Sequence, residues 1–195
     1  FENPVTGIWR VRVYNTQYFT GEFNIWLPSE GLISDETVFL RPTPDTTITM
    51  PGNTGAPITV GAYNHLNNSI YIHSSRGFTP SGIVKPELAA PGVNVMGPAV
   101  GRRINGSIPM TTRSGTSVAA AHVAVFGLGG VGSWCAVASL FGWGIVESNQ
   151  ITMSQASVKS YLIRGARRNP ALRYPNEEWG YGALDLYETF RRIRE

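Results

Sequence analysis

A run of small residues past the middle of the chain restricts the possible folds more than any other feature. It reads SVAAAHVA over 117–124 and directly follows Gly115 and Thr116. Short apolar side chains suit a helix that packs closely against its neighbours inside a core. The sequence therefore predicts a tightly packed helix that begins at about Ser117.

The composition is that of an ordinary globular protein. The 195 residues are 42% hydrophobic and 15% charged, with 22 glycines and 13 prolines, which argues against a coiled coil or a long-helix bundle. No stretch approaches the roughly 20 apolar residues of a membrane span, so we expect no membrane partner. The single cysteine, Cys135, excludes an internal disulfide and a cysteine-built zinc site. We expect no cofactor and no metal.

The net charge of +3 comes mostly from arginine. Fourteen of the sixteen basic residues are Arg, and several cluster within 164–173 and 191–194. A nucleic-acid site would interleave such residues with stacking aromatics or set them on a recognition helix. Cations at solvated helix ends, where they offset the helix dipole, are the simpler interpretation. We expect no nucleic-acid partner.

Alternating side chains predict β structure in the first part of the chain. Residues 7–14 and 21–28 both repeat apolar side chains with a period of two, which is typical of half-buried strands. Two more short strands are predicted around 46–50 and 57–63, separated by a turn rich in proline and glycine.

Helical spacing predicts two further helices in the last part of the chain. One spans 154–166, with Ser154 as a plausible N-cap, and the other runs from about 184 to 193. The chain thus changes from β-rich to helix-rich along its length.

Ser117 stands where a helix N-terminus would favour nucleophilic chemistry. The free N–H groups and the dipole at such an end favour negative charge. A serine there has its alkoxide stabilised, and its own backbone N–H can donate to the oxyanion of a tetrahedral intermediate. On spacing alone, a serine that only caps the helix remains the simpler interpretation.

Four blocks of sequence stand in the order found in one enzyme family. They read ITVGAY at 58–63, KPELAAPGVNV at 85–95, GTSVAAAHVA at 115–124 and WGYGALD at 179–185. Together they resemble the subtilisin-like serine peptidases (subtilases, family S8). In order, the four blocks resemble that family's buried strand, the loop leading toward the nucleophile, the nucleophile signature and the closing segment.

The resemblance implies an α/β fold. Residues 46–195 would form the C-terminal half of a doubly wound parallel-sheet domain, with an insertion at 125–134. Residues 1–45 resemble the C-terminal strands of a β jelly-roll insertion found in clostridial, germination-protease-like subtilases.

The resemblance also assigns Ser117 as the catalytic nucleophile and its backbone N–H as one oxyanion donor. The family places its catalytic Asp and His, and its oxyanion Asn, upstream of the region matched here. The implied partner is therefore the upstream part of the same protease, in one chain or as a nicked chain, and the implied substrate is a protein or peptide. This chain alone would be inactive or nearly so, because a serine without a base is a weak nucleophile.

Other polar residues are not assigned to catalysis. His122 matches a structural histidine on the family's nucleophile helix, while His65 and His73 fall in a polar loop where a surface position is expected. Asn53 falls in the turn before the buried strand, which is the wrong place for the oxyanion donor.

The glycine-rich stretch within 125–134 supports other interpretations. Four glycines there should break the nucleophile helix, since each costs about 1 kcal/mol relative to alanine. The stretch resembles the glycine turn of ThiF/E1-like adenylating enzymes, which implies nucleotide binding with Glu147 at roughly the distance of a ribose partner. An irregular loop or a sequence artefact is the alternative for the insert. For the whole chain, the alternative to a protease is an inactive subtilase-like binding module.

Overall fold

The computed structural model describes residues 5–14, 23–28, 32–34, 36–101, 107–128 and 154–193. The chain divides into two compact units, Phe1–Leu40 and Arg41–Glu195. None of the helices in the described ranges has the length and apolar character needed to cross a bilayer.

The described residues of the first unit contain no strand. The alternating side chains Trp9, Val11 and Val13 are 60%, 73% and 59% exposed. Alternation alone does not make a strand, because the backbone N–H and C=O groups also need a partner strand. The strands expected at 7–14 and 21–28 are therefore not seen among these residues, and the jelly-roll origin of 1–45 stays a prediction.

The second unit is built on a small mixed sheet. Its strands are β1 (Val60–Asn64), β2 (Ser69–Ile70) and β3 (Leu88–Pro91), in the order β2-β1-β3. β1 runs parallel to β3, with Val60 opposite Leu88, and antiparallel to β2. The strand predicted around 57–63 is thus confirmed as β1, whereas 46–50 forms loop and turn rather than a strand.

A hairpin connects the sheet to the first helix. Strands β4 (Val95–Pro98) and β5 (Met110–Arg113) pair antiparallel, with Val95 opposite Arg113. Sequence patterns did not predict this hairpin, because neither four-residue strand buries a regular face.

The described residues form three helices, α1 (Thr116–Leu128), α2 (Gln155–Gly165) and α3 (Leu186–Ile193). α1 packs against β1 and β3, and α2 packs against α3. Their apolar side chains join those of β1 and β3 in one core, whose buried members are Ala62, Leu88, Ala90, Ala119, Val123, Leu162, Phe190 and Ile193. All three helices lie where the sequence predicts them. Ser154 caps α2 as expected, since its Oγ accepts a hydrogen bond from the Ser157 N–H at 3.1 Å.

The glycine-rich stretch does not break α1 at its first glycine. The helix continues through Gly127 to Leu128. One glycine costs about 1 kcal/mol, which the packing of a 13-residue helix can outweigh. The other three glycines, within 129–134, lie outside the described residues, so the predicted insertion stays a prediction.

Glu188 in the first turn of α3 gives a testable pH dependence. Its carboxylate accepts hydrogen bonds from Arg191 at 2.9 and 2.7 Å and from Arg192 at 2.8 Å, and these lower its pKa from 4.5 to about 2. Because the pKa of Glu188 is lower in the folded state than in the unfolded state, its carboxylate stabilises the fold at pH values above the unfolded-state pKa. This stabilisation is lost as the pH falls through the folded-state pKa. We expect Glu188→Gln to lower the melting temperature near neutral pH and to match the parent near pH 2. A carboxyl NMR titration with its midpoint above about pH 4 would contradict this.

Candidate active site

Ser117 is the second residue of α1 and its side chain is exposed. The helix opens on the Gly115 carbonyl, which accepts hydrogen bonds from the N–H groups of Val118 at 3.1 Å and Ala119 at 3.4 Å. The first N–H groups of a helix have no partner within its own ladder. Ser117 therefore presents its hydroxyl and its backbone at the positive end of the helix dipole.

Gly92 fixes this helix end against the sheet. Its N–H donates to the Tyr63 carbonyl at 2.9 Å, at the end of β1, and its carbonyl accepts from the Gly115 N–H at 2.8 Å. A Cβ at position 92 would lie 2.7 Å from the Ala62 Cβ and 2.9 Å from the Gly115 oxygen. Only glycine allows the backbones to approach this closely. Ser117 is consequently held at the carboxyl ends of the two parallel strands, where ligand sites of α/β sheets usually lie.

A second contact closes the base of the hairpin in front of α1. The Asn94 N–H donates to the Ser114 Oγ at 2.9 Å. Asn94 has a φ of 50°, in the left-handed region that asparagine tolerates better than most residues. The segment leading into the helix is therefore fixed at Gly92 and again at Asn94.

None of the three histidines is placed as a base for Ser117. The His122 Nδ1 lies 2.8 Å from the Val118 carbonyl, one turn back on the same helix, so the ring is held by its own helix. His65 and His73 are both exposed, as expected of a polar loop, and His73 packs edge-on against Tyr71. No hydrogen bond joins a histidine to Ser117 in the described structure.

Asn53 lies in a turn, as the sequence indicates. Its backbone N–H donates to the Thr49 carbonyl at 3.2 Å. Its Oδ1 is buried and has no hydrogen-bond partner among the described residues. The turn belongs to the wall of a cleft that sequence analysis did not predict.

The cleft has a volume of about 230 Å³, and Thr116, the residue before Ser117, is one of its lining residues. Val60, at the start of β1, also lines it, as does Ser74, whose Oγ accepts a hydrogen bond from the Ala62 N–H at 3.0 Å. Its lining mixes hydroxyl groups with apolar side chains: Ile48, Thr49, Met50, Pro51, Gly52, Thr59, Val60, Ser74, Ser75, Pro86 and Thr116. These residues meet only through the tertiary fold, so no local sequence pattern could have grouped them.

The described residues contain no group of three His, Cys, Asp or Glu side chains that could hold a metal. The nucleotide-binding interpretation needs an apolar strand before its glycine turn, whereas residues 123–128 belong to α1. Glu147 lies outside the described residues.

Residues 40–182 match the family model of the subtilases, peptidase family S8. The chain belongs to the subtilase family. The match includes the sheet, the cleft and the start of α1, so the elements that hold Ser117 are those of a subtilase domain. No curated protein gives a significant match.

Solved structures agree with this assignment. The CspB protease of Clostridium perfringens is 35% identical, with a TM-score of 0.64 over 82% of this chain. The prenylagaramide maturation protease PagA and the patellamide maturation protease PatA are 20% and 19% identical, each with a TM-score of 0.52 over 77% of this chain, and show the fold alone. The similarity to CspB confirms the clostridial resemblance and the α/β fold.

The chain covers less than half of the length of each of these solved structures. It spans 31% of the CspB chain, 47% of PagA and 48% of PatA.

Proposed function

We propose that this chain carries the nucleophile of a serine endopeptidase, with Ser117 attacking the scissile carbonyl. The observation that carries the proposal is the placement of Ser117, exposed in the first turn of α1 at the carboxyl ends of β1 and β3. A serine that served only as a cap would need no such support from Gly92. Membership of the subtilase family supports the same role.

The geometry suits acyl transfer. As Ser117 Oγ attacks, negative charge develops on the carbonyl oxygen, and the free N–H groups at the helix start can stabilise it. The backbone N–H of Ser117 is the expected donor. A general base takes the Ser117 hydroxyl proton and passes it to the leaving amine as the peptide bond breaks, which leaves an acyl-enzyme. Water then attacks the ester, releases the acyl group as a carboxylic acid and restores the Ser117 hydroxyl.

The base must come from outside these residues. His122 is held by its own helix, and His65 and His73 lie in an exposed loop. We propose that the catalytic Asp and His belong to upstream polypeptide of the same protease, in the same chain or in a nicked partner. The 31% coverage of CspB supports this, because most of that relative has no counterpart here.

The cleft that Thr116 lines is the proposed binding site of that upstream polypeptide. β2 pairs with the outer edge of β1 at Tyr63 and Asn64. The Ala62 carbonyl accepts from the Tyr71 N–H at 2.9 Å and the Ala62 N–H donates to Ser74 Oγ at 3.0 Å, whereas Val60, at the start of β1, lines the cleft. A segment bound in the cleft would therefore meet the sheet at the Val60 end of β1. One of its ends would then lie beside Thr116 and Ser117.

Fluorophosphonate labelling tests the proposal. The 195-residue chain is treated alone, with the upstream region added, and as one continuous polypeptide, and adducts are read by intact mass. We expect labelling only when the upstream region is present, and its loss in Ser117→Ala. Ser160→Ala, an exposed serine on α2, is the matched control and should label normally.

Three other outcomes would count against the proposal. Labelling of the chain alone, lost in Ser117→Ala, would show that no outside base is needed. A folded complex that never labels would favour the inactive binding module. Stabilisation of the chain by ATP in a thermal melt would instead favour nucleotide binding.

A further inference from the structure

The chain contains only two lysines, and both reach the same carboxylate. Lys85 Nζ lies 2.7 Å from Glu87 Oε1, and Lys159 Nζ contacts the same oxygen. The side chains of Lys85 and Glu87 are 0% and 2% exposed, while that of Lys159 is 26% exposed. The ammonium groups of both lysines therefore meet at the buried carboxylate of Glu87.

The polar atoms of this cluster are well supplied with hydrogen bonds. Glu87 Oε2 accepts from the Thr59 N–H at 2.7 Å. Lys85 Nζ donates to the Pro57 carbonyl at 2.7 Å, and Lys159 Nζ donates to the Gly55 carbonyl at 3.1 Å. Buried charges persist only when they are paired and hydrogen-bonded in this way.

These bonds lead to the cleft. Thr59 Oγ1 donates to the Gly52 carbonyl at 2.6 Å, and both residues line the same cleft as Thr116. Lys159 therefore connects α2 to the cleft wall twice, through Gly55 and through Glu87. The segment 52–59 is held from behind by a helix that does not itself line the cleft.

Neutralising the Glu87 carboxylate does not require Lys159. Lys85 already neutralises Glu87, so the second cation leaves the cluster with a net charge of +1. Buried ion pairs are often no better for stability than apolar side chains of similar size. What Lys159 adds is a fixed position for the cleft wall relative to α2.

We infer that Lys159 and Glu87 are positioning residues that hold the 52–59 wall in the geometry that receives the upstream polypeptide. The inference rests on the proposed function, since it says which residues hold the proposed binding site of the upstream polypeptide in place. Neither residue touches the reacting atoms.

The test measures the dissociation constant of the upstream polypeptide, by fluorescence anisotropy, in chains that also carry Ser117→Ala. Binding is then independent of the reactivity of Ser117. We expect Lys159→Met to raise the dissociation constant about tenfold, within the range of coupling between neighbouring groups. We expect Lys159→Arg, which can keep both contacts, to restore most of the affinity.

Arg164→Met is the control on the same helix, because Arg164 lies over the Tyr161 ring at 5.9 Å and not in the cluster. It should bind as the parent does. Thermal melts of every variant separate lost affinity from lost folding. If Lys159→Met does not fold, Lys159→Gln, which can still donate to the Gly55 carbonyl, replaces it and should bind more weakly than the parent.

Three results would overturn the inference. They are a folded Lys159→Met chain that binds like the parent, a Lys159→Arg chain that binds as weakly as a folded Lys159→Met chain, and a parent chain that does not bind the upstream region. Labelling of the continuous polypeptide tests Ser117 separately, so either conclusion can fail without the other.

Discussion

Replacing Gly92 with alanine should slow fluorophosphonate labelling of Ser117 about 100-fold in the continuous polypeptide proposed above, the scale expected when a reacting group is displaced by about 1 Å. The new Cβ would lie 2.7 Å from the Ala62 Cβ and 2.9 Å from the Gly115 oxygen. Ala62 is fully buried in β1, and the Gly115 carbonyl accepts the first hydrogen bonds of α1, so neither can move freely. The helix start must shift, and Ser117 shifts with it.

Labelling rates of the continuous polypeptide, measured by intact mass, check this result. Gly97→Ala is the matched control, because a Cβ at position 97 in β4 would meet nothing within 4 Å. It should label at the parent rate. A Gly92→Ala enzyme that labels within about threefold of the parent would show that Gly92 does not set the position of Ser117.

The second large effect is expected at Gly180, in the WGYGALD segment. Gly180 has a φ of +57°, and a Cβ there would overlap the Pro86 carbonyl oxygen and lie 2.6 Å from the Glu87 carbonyl oxygen. A left-handed conformation costs an alanine roughly 1–2 kcal/mol, and overpacking adds about 1–3 kcal/mol. The Tyr181 N–H also donates to the Glu87 carbonyl at 2.9 Å, so the clash falls on a backbone contact. We expect Gly180→Ala to lower the melting temperature by about 10 °C.

Gly82→Ala separates the two contributions. Gly82 has a φ of +75°, but nothing lies within 4 Å of an added Cβ. Calorimetry should therefore show a fall of only about 3 °C at this position, from backbone strain alone. Equal losses at Gly180 and Gly82 would contradict the role given to close packing against the Pro86 and Glu87 carbonyl groups.

The helix that bears Ser117 could be predicted from the sequence because its signals are local. Small residues 117–124, with Gly115 before them, indicate a packed helix and its start, and Ser154 marks the start of α2 in the same local way. The resemblance to subtilases predicted the family and the α/β fold. What the patterns could not supply was a partner for each predicted strand, and residues 7–14 show no strand for that reason.

The cleft and the lysine cluster depend on contacts between distant segments. Thr59, Glu87 and Lys159 are brought together only by the folding of β1, β3 and α2 into one unit. Lysine and glutamate are also the residue types least expected in a core, so their burial gives no hydrophobic signal along the chain. A pairing of two lysines with one carboxylate is visible only in three dimensions.

The hydrogen bond between the Gly115 N–H and the Gly92 carbonyl makes the intervening hairpin a separable module. The chain leaves the core at Gly92 and returns to the same point at Gly115, so β4 and β5 lie in a long loop, here called the excursion, whose two ends are joined by this hydrogen bond. Lengthening such a loop costs only about 0.6 kcal/mol for each doubling of its length. Sequence and length can therefore diverge in this excursion between related proteins, or be exchanged by grafting, while the start of α1 keeps its place.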